Sequence, residues 1–244
     1  MTRARSPLAA ARSAVLAAAI PAILEHGWNR AALDAAVAAT GIDAPLAARA
    51  FPSGARSLLE EFHRSWDASL PAALATHDAA TLRTGQRIGL AVRLRIEAMG
   101  ERAFVRRAIA FQALPENVPA ATRSLARTVD AIWRAVGDRS LDFSYYTKRA
   151  TLAAIYAATV LYWLQDDSAD SAETWAFLNR RLRGVAAFGA ARKRTEEFVA
   201  GAFGSAATVA KGLGALAKLG PSALPGRSTV WSGIRSARSR LSGR

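Results

Sequence analysis

Apolar residues recur three and four positions apart along most of the chain, and no strand-like alternation is sustained. Leu16, Ile20, Ile23 and Leu24 mark a first helix over about 8–26, which Gly27 ends as a C-terminal cap would. A second helix spans about 31–39. The turn Thr40-Gly41-Ile42-Asp43 then leads into a short third helix that stops at Phe51-Pro52. After Ser53-Gly54, the stripe Leu58, Leu59, Phe62, Trp66 and Leu70 predicts a long helix ending near His77-Asp78. Ile88, Leu90, Val92, Leu94, Ile96 and Met99 occupy more than one face of the next helix, which Gly100 breaks. Residues 101–114 form another, stopped by Leu114-Pro115, and Pro119 opens one lined by Leu125, Val129, Ile132, Trp133 and Val136. A helix over about 142–164 keeps Leu152, Ile155, Tyr156, Thr159, Val160 and Trp163 in register. The acidic turn 165–170 caps a further helix carrying Trp175, Leu178, Leu182 and Val185. The pattern predicts an all-α chain of about nine helices before residue 192.

Helix, turn and short helix at the start form a helix-turn-helix order. That order, with an aromatic and a small polar turn closing the third helix, resembles the N-terminal module of TetR-family regulators. We assign residues 1–52 to this module. A DNA reader needs donors on its recognition helix to reach base edges and phosphates. Here that helix is Ala44 to Ala50 and carries one basic side chain, Arg49. We therefore read it as a vestigial scaffold and expect no nucleic-acid partner. A working TetR-like transcriptional regulator with a hydrophobic effector is the alternative.

Composition changes the picture at the other end. The formal net charge is +14, and from Arg192 onward ten Lys/Arg against two Glu give +8, which leaves +6 for the preceding 191 residues. A basic tail of this kind suits an anionic partner. Within 192–219, the residues Phe198, Val199, Ala202, Ala206, Val209, Leu213, Leu216 and Ala217 share one helical face, and Lys211 and Lys218 lie near each other on the opposite side. Such a helix can bury its apolar face in a membrane interface while the lysines meet anionic headgroups. The candidate membrane-binding residues are Phe198, Ala202, Val209, Lys211, Leu213, Leu216 and Lys218. An ordinary helix docked on the domain, or a dimer contact, has the same pattern. Residues 220–244, rich in Ser, Gly and Arg, read as a flexible basic tail. The apolar runs look too interrupted to span a bilayer, and no signal peptide is expected.

No constellation for catalysis is visible. The chain has no cysteine, so thiolate metal sites, disulfides and cysteine nucleophiles are excluded. Its three histidines are His26, His63 and His77, and the single Glu60-x-x-His63 lacks the second copy that a di-iron bundle requires. No phosphate-binding glycine loop occurs. We expect no enzyme, no catalytic residue, no cofactor and no metal.

The most informative stretch is 130–156, where Tyr145 and Tyr146 stand among charges at a helix start. Trp133, Gly137-Asp138, Ser140, Asp142-Phe143, Tyr146-Thr147, Arg149-Ala150 and Leu152 to Tyr156 resemble the signature of the Coq-nine family of ubiquinone biosynthesis proteins. Leu114-Pro115-Glu116-Asn117, Gln165-Asp166, Ser168, Asp170, Thr174-Trp175 and Phe177-Leu178 agree with it, and the likeness runs over about 10–215. The resemblance implies a TetR-like fold without DNA binding, a hydrophobic pocket for isoprenoid lipid, and a C-terminal amphipathic helix that attaches to membrane. It also implies support of the di-iron demethoxyubiquinone hydroxylase by presenting a ubiquinone intermediate. The partner-binding patch carries over to Asp142, Tyr145, Tyr146 and Arg149. The chain departs from the family where Ser144 replaces a common asparagine and Tyr145 a common tryptophan; tyrosine keeps a large amphipathic ring suited to an interface.

The same resemblance implies a pocket among the central helices, and the apolar surplus there offers Leu90, Leu94, Phe104, Ile109, Trp133, Ile155 and Trp163 as lining. For any single one of them a plain core position is the better reading of the pattern. The expected organisation is thus a 1–52 module, a lipid- and partner-binding domain over 53–191, a membrane helix over 192–219 and a tail over 220–244. We expect a homodimer, peripheral on the cytoplasmic side of a bacterial inner membrane. A purely structural dimer module, with a dry filled core, is a third possibility.

Overall fold

Polar residues that satisfy helix ends set the element boundaries. The computed structural model describes residues 6–138 and 144–185, by backbone alone at 80, 144 and 145. Among these residues there are nine α-helices and no strand: α1 Pro7–His26, α2 Arg30–Thr40, α3 Ala44–Ala50, α4 Ala55–Ala75, α5 Thr84–Glu97, α6 Arg102–Gln112, α7 Val118–Ala135, α8 Ser144–Trp163 and α9 over 172–185. Short 3-10 turns at Ala79–Thr81 and Ala169–Ser171 join two of the connections. All described residues belong to one compact unit, 1–186. The predicted membrane helix, with Phe198, Ala202, Val209, Lys211, Leu213, Leu216 and Lys218, lies outside the described residues, as do 220–244.

The N-terminal module follows its caps. Ser6 Oγ accepts from the Ala9 amide, Asn29 Oδ1 from Ala32 at 3.0 Å, and Asp43 Oδ1 from Leu46 at 2.7 Å. Each satisfies a first-turn amide that the helix leaves without a partner. Gly41 closes α2 in the left-handed conformation, with φ 67°, that a side chain disfavours. α1 then packs on α2 and α3 through Val15, Ala19 and Ile23, all fully buried. At 20 residues and mean hydropathy 1.7, α1 is long and apolar enough to cross a membrane, contrary to the expectation of interrupted runs. In the fold its buried stripe belongs to the shared core. Arg12 of α1 donates to the Ala50 carbonyl, which ties α3 back onto it.

An aromatic cluster links this module to the rest. Trp28, at the turn that follows Gly27, is buried with Phe62 and Phe104, at centroid distances of 5.8 and 5.3 Å. Phe62 and Phe104 meet edge to face at 5.2 Å. Behind it α4, α5, α7 and α8 pack side by side around Leu58, Leu70, Val92, Ile96, Val129, Ile132 and Leu152. α9 crosses α5 at Gly89, where a Cβ would meet Leu182 Cδ1 at 3.3 Å, so the absent side chain permits this approach.

The turn before α9 is held by one carboxylate. Asp166 accepts from Ser168 Oγ at 2.6 Å, Thr174 Oγ1 at 2.5 Å and the amides of both residues. These hydrogen bonds, the two hydroxyls first, hold its carboxyl well below the usual carboxylate range.

Candidate functional site

A cavity of about 330 Å³ opens between α4, α6, α7 and α8. Its floor is formed by the buried Met99, Val105, Ala108, Thr128, Tyr156 and Val160. Half-buried His63, Trp66, Ile109, Gln112, Leu125 and Ala157 make its walls. The rim carries Val118 and Leu161, 47% and 52% exposed, with Thr122 beside them. Exposed branched aliphatic residues around an apolar opening are what an apolar guest would cover.

A polar network underlies one side. Arg95 of α5 is fully buried. Its Nε donates to Asp67 Oδ1 of α4 at 2.6 Å, and its guanidinium sits 5.1 Å from the Trp66 ring centroid. Thr128 Oγ1 donates to Asp67 at 2.9 Å and receives Arg95 Nη2 at 3.4 Å. Arg95 Nη1 is buried and unpartnered.

The same guanidinium fixes the state of His63. Arg95 Nη2 lies 3.2 Å from His63 Nδ1, and arginine can only donate, so Nδ1 is the accepting nitrogen. Burial first, then the charges of Arg95 and Arg127, lower the histidine to about 3. The neutral ring therefore carries its proton on Nε2, which lies 2.9 Å from the Gln112 amide nitrogen, and two donors form a hydrogen bond only if the amide is turned over. That pairing requires the amide oxygen toward His63 and leaves the Gln112 NH2 group turned from it. Tyr156 also brings a donor to the cavity lining. Among the described residues its hydroxyl reaches only Met99 Sδ, at 3.8 Å, a weak acceptor, and burial raises the phenol above its ordinary range.

Of the seven residues expected to line a pocket, Ile109 lines this cavity. Phe104 belongs to the aromatic cluster, and Ile155 is buried in the core. Trp133 sits in the α7–α8 seam with Lys148 Nζ 5.6 Å over its ring. Trp163 takes the Arg102 guanidinium at 5.4 Å, and Leu90 and Leu94 pack half-buried against the core. Apart from Ile109, the cavity wall from Val105 to Gln112 was not expected, nor was the network of Asp67, Arg95 and Thr128. One signal was present. Ile88, Ala91, Val92 and Arg95 fall on a single helical stripe, so a charge stands where a core residue belongs.

The expected partner patch is described in part. Asp142 lies outside the described residues, and Tyr145 is described by its backbone only. Tyr146 is 74% exposed on the first turn of α8. Arg149 points back to α7, with Nη2 2.8 Å and Nε 3.0 Å from Asp130 Oδ1. Arg134 pairs with the other oxygen of Asp130, and Lys148 lies 3.7 Å from Asp138.

An all-helical unit with a helix-turn-helix start and a cavity among its later helices has the architecture of TetR-like proteins. A TetR transcriptional regulator from Nitrosomonas europaea superposes with TM-score 0.58, covering 72% of this chain and 97% of that one at 22% identity, a likeness of fold. The COQ9 family profile matches residues 118–189, the stretch from α7 onward. Ubiquinone biosynthesis protein COQ9-B, mitochondrial, of Xenopus laevis is 31% identical over 209 residues, covering 80% of this chain and 70% of that protein. The corresponding rat protein is also 31% identical over 209 residues, and the human one likewise. The alignments cover 80% of this chain and just under two thirds of those two relatives, 66% and 65%. This chain belongs to the COQ9 family.

Proposed function

We propose that this chain is a non-catalytic, lipid-binding accessory protein of ubiquinone biosynthesis. The observation that carries this reading is an apolar cavity with an exposed aliphatic rim in a chain of the COQ9 family. It takes up an isoprenoid quinone precursor and presents it to the di-iron demethoxyubiquinone hydroxylase. The family name and the ubiquinone biosynthesis relatives support the pathway; the cavity supports the lipid. His63 suits this role better than a catalytic one. A histidine lowered to about 3, with Nδ1 occupied by a guanidinium, makes a poor general base near neutral pH.

The helix over 192–219 finds the membrane through Phe198, Ala202, Val209, Leu213 and Leu216, with Lys211 and Lys218 toward anionic headgroups. The protein is then peripheral on a bacterial inner membrane and works as a homodimer. Asp142, Tyr145 and Tyr146 face the hydroxylase, and Arg149 braces that surface from α7. Purification followed by lipid mass spectrometry tests the reading. Copurified isoprenoid quinone precursors and binding to anionic liposomes are expected; protein that carries no lipid and ignores liposomes sinks it.

The TetR-like neighbour supports a second reading, a DNA-binding regulator with a hydrophobic effector. Arg49 as the lone basic side chain of α3 weighs against it. A gel shift on the chain's own upstream region separates the two, since specific retardation with a steep salt dependence belongs to the regulator alone.

A further inference from the structure

The cavity is amphipathic in a way that a slot for an isoprenoid tail has no need to be. A tail asks for apolar walls throughout, because every buried polar group without a partner costs free energy. Here the floor carries the Tyr156 hydroxyl against a thioether, and the wall carries a Gln112 NH2 group that His63 does not use. Both are donors. The His63 and Thr128 donors are already committed, to Gln112 and Asp67. The unfilled hydrogen-bonding capacity on the cavity surface is therefore donor-rich and calls for acceptor oxygens. Trp66 adds a large flat ring to the wall, and Arg95 behind it fixes that ring through a cation–π contact.

Size points the same way. A volume of about 330 Å³ stands at the low end for small-molecule sites, enough for a substituted ring and too little for a long polyprenyl chain. The chain of any long ligand must lie outside, and the exposed Val118 and Leu161 give it an apolar rim to cross.

We propose that this cavity takes its ligand head first: Tyr156 and Gln112 donate to the oxygens of a quinone or alkoxy-substituted aromatic ring, and the isoprenoid chain leaves over Val118 and Leu161. The inference rests on the lipid-binding reading and adds orientation and selectivity to it. Tyr156 and Gln112 are then the specificity determinants, and His63 is a positioning residue. With Arg95 donating to its Nδ1, it turns the Gln112 amide so that its NH2 faces away from the imidazole.

The experiment uses the full chain in detergent micelles and two ligands, a dimethoxy-methyl-benzoquinone with a ten-carbon chain, and squalene, an isoprenoid without a head. Isothermal titration should give clear preference for the quinone. Tyr156→Phe keeps the ring and its packing and should weaken quinone binding roughly five- to tenfold, the loss of one buried hydrogen bond. Gln112→Leu should weaken it by a similar factor, and squalene should be indifferent to both changes. Thermal melts of both variants establish that they fold. Quinone binding that is equal in wild type and in both folded variants overturns the head-first orientation and leaves the lipid-binding reading standing. Squalene binding as tightly as the quinone overturns it as well. If the wild type binds neither ligand, the lipid-binding reading fails and this inference goes with it.

Discussion

Two arginine–aspartate pairs tie α7 to its neighbours, and their α7 residues, Thr128 and Asp130, stand two positions apart. On the inner side, Arg95 and Asp67 join α5 to α4, with Thr128 hydrogen-bonded to both. On the outer side, Asp130 holds Arg149 of α8 and Arg134 of its own helix. The chemistry is the same; the surroundings differ. Arg95 is fully buried, whereas the Asp130 cluster keeps access to water through the largely exposed Arg134 side chain. A solvated pair is screened and loosely valued. A buried charge is retained only while its partner remains, because nothing else pays for its desolvation. The inner pair therefore commits α4, α5 and α7 to one arrangement beside the cavity, while the outer pair is a clamp that can be lost at modest cost.

The sharpest way to break this contrast is Asp67→Ala. It leaves the Arg95 guanidinium buried without its counter-ion and should cost on the order of 3–5 kcal/mol, measured by urea denaturation. Replacing both members, Asp67→Leu with Arg95→Met, should recover most of that loss, since an apolar pair of similar volume needs no compensation. A double variant no more stable than the single would mean that packing geometry, and not the unpaired charge, dominates the site.

Acid probes the same network next. His63 is lowered on folding to about 3, so the unfolded chain takes up this proton first as pH falls. The neutral ring costs nothing above its unfolded value near 6.5, and stability is then lost as pH drops from there toward 3. At pH 5 the loss amounts to about 2 kcal/mol at most. His63→Gln should flatten stability against pH across that window. Asp166 acts further down: its carboxyl is lowered on folding, so its contribution is full above about 4 and disappears as pH falls through the depressed value. A melting temperature of the His63 variant that still falls as steeply as wild type between pH 6.5 and 5 would assign the acid sensitivity elsewhere.

The outer pair should respond more weakly. Arg149→Ala removes one partner from Asp130 and should cost about 1 kcal/mol, with Arg134 still in place. Raising the salt to 1 M should shrink even that difference, since screening reaches Asp130 through the exposed Arg134 and does not reach Arg95. An Arg149 variant as unstable as Asp67→Ala would erase the distinction between the two pairs.

The same contrast explains what could be read from the chain. The nine helices and the helix-turn-helix order follow from local signals: Gly27 and Gly100 as stops, the turn from Thr40 to Asp43, and stripes such as Leu58, Leu59 and Phe62. The structure agrees with these to within a residue or two. Trp28 escaped because a turn position gives no periodicity, and its burial depends on Phe62 and Phe104 arriving from elsewhere in the chain. The candidate lining residues were chosen for apolarity on central helices, which selects core and cavity alike; Phe104 and Ile109 sit five positions apart in α6 and end in different places. His63 looked like half of a metal motif, and its neighbour proved to be Arg95, thirty-two residues away. Local chemistry writes the helices, while the cavity depends on distant residues whose meeting only the packing decides. The 130–156 stretch was legible through resemblance rather than physics, since tyrosines beside Lys148 and Arg149 are compatible with a cap and with an interface.

Tyr146 offers the smallest expected stability effect and a decisive test of that ambiguity. At 74% exposed, its ring buries little area, so Tyr146→Ala should change stability by no more than about 0.5 kcal/mol. If α8 begins at a docking surface, the same change should weaken association with the hydroxylase by tenfold or more, as removal of an aromatic anchor does, while liposome binding stays intact. If this turn is a structural cap, stability and both associations should fall together. Arg149→Ala sharpens the outcome, because it loosens the brace from Asp130 without touching the exposed ring. Hydroxylase binding that follows Tyr146 and ignores Arg149 assigns the contact to the aromatic face of α8 and leaves the charged residues with the work of holding that face in place.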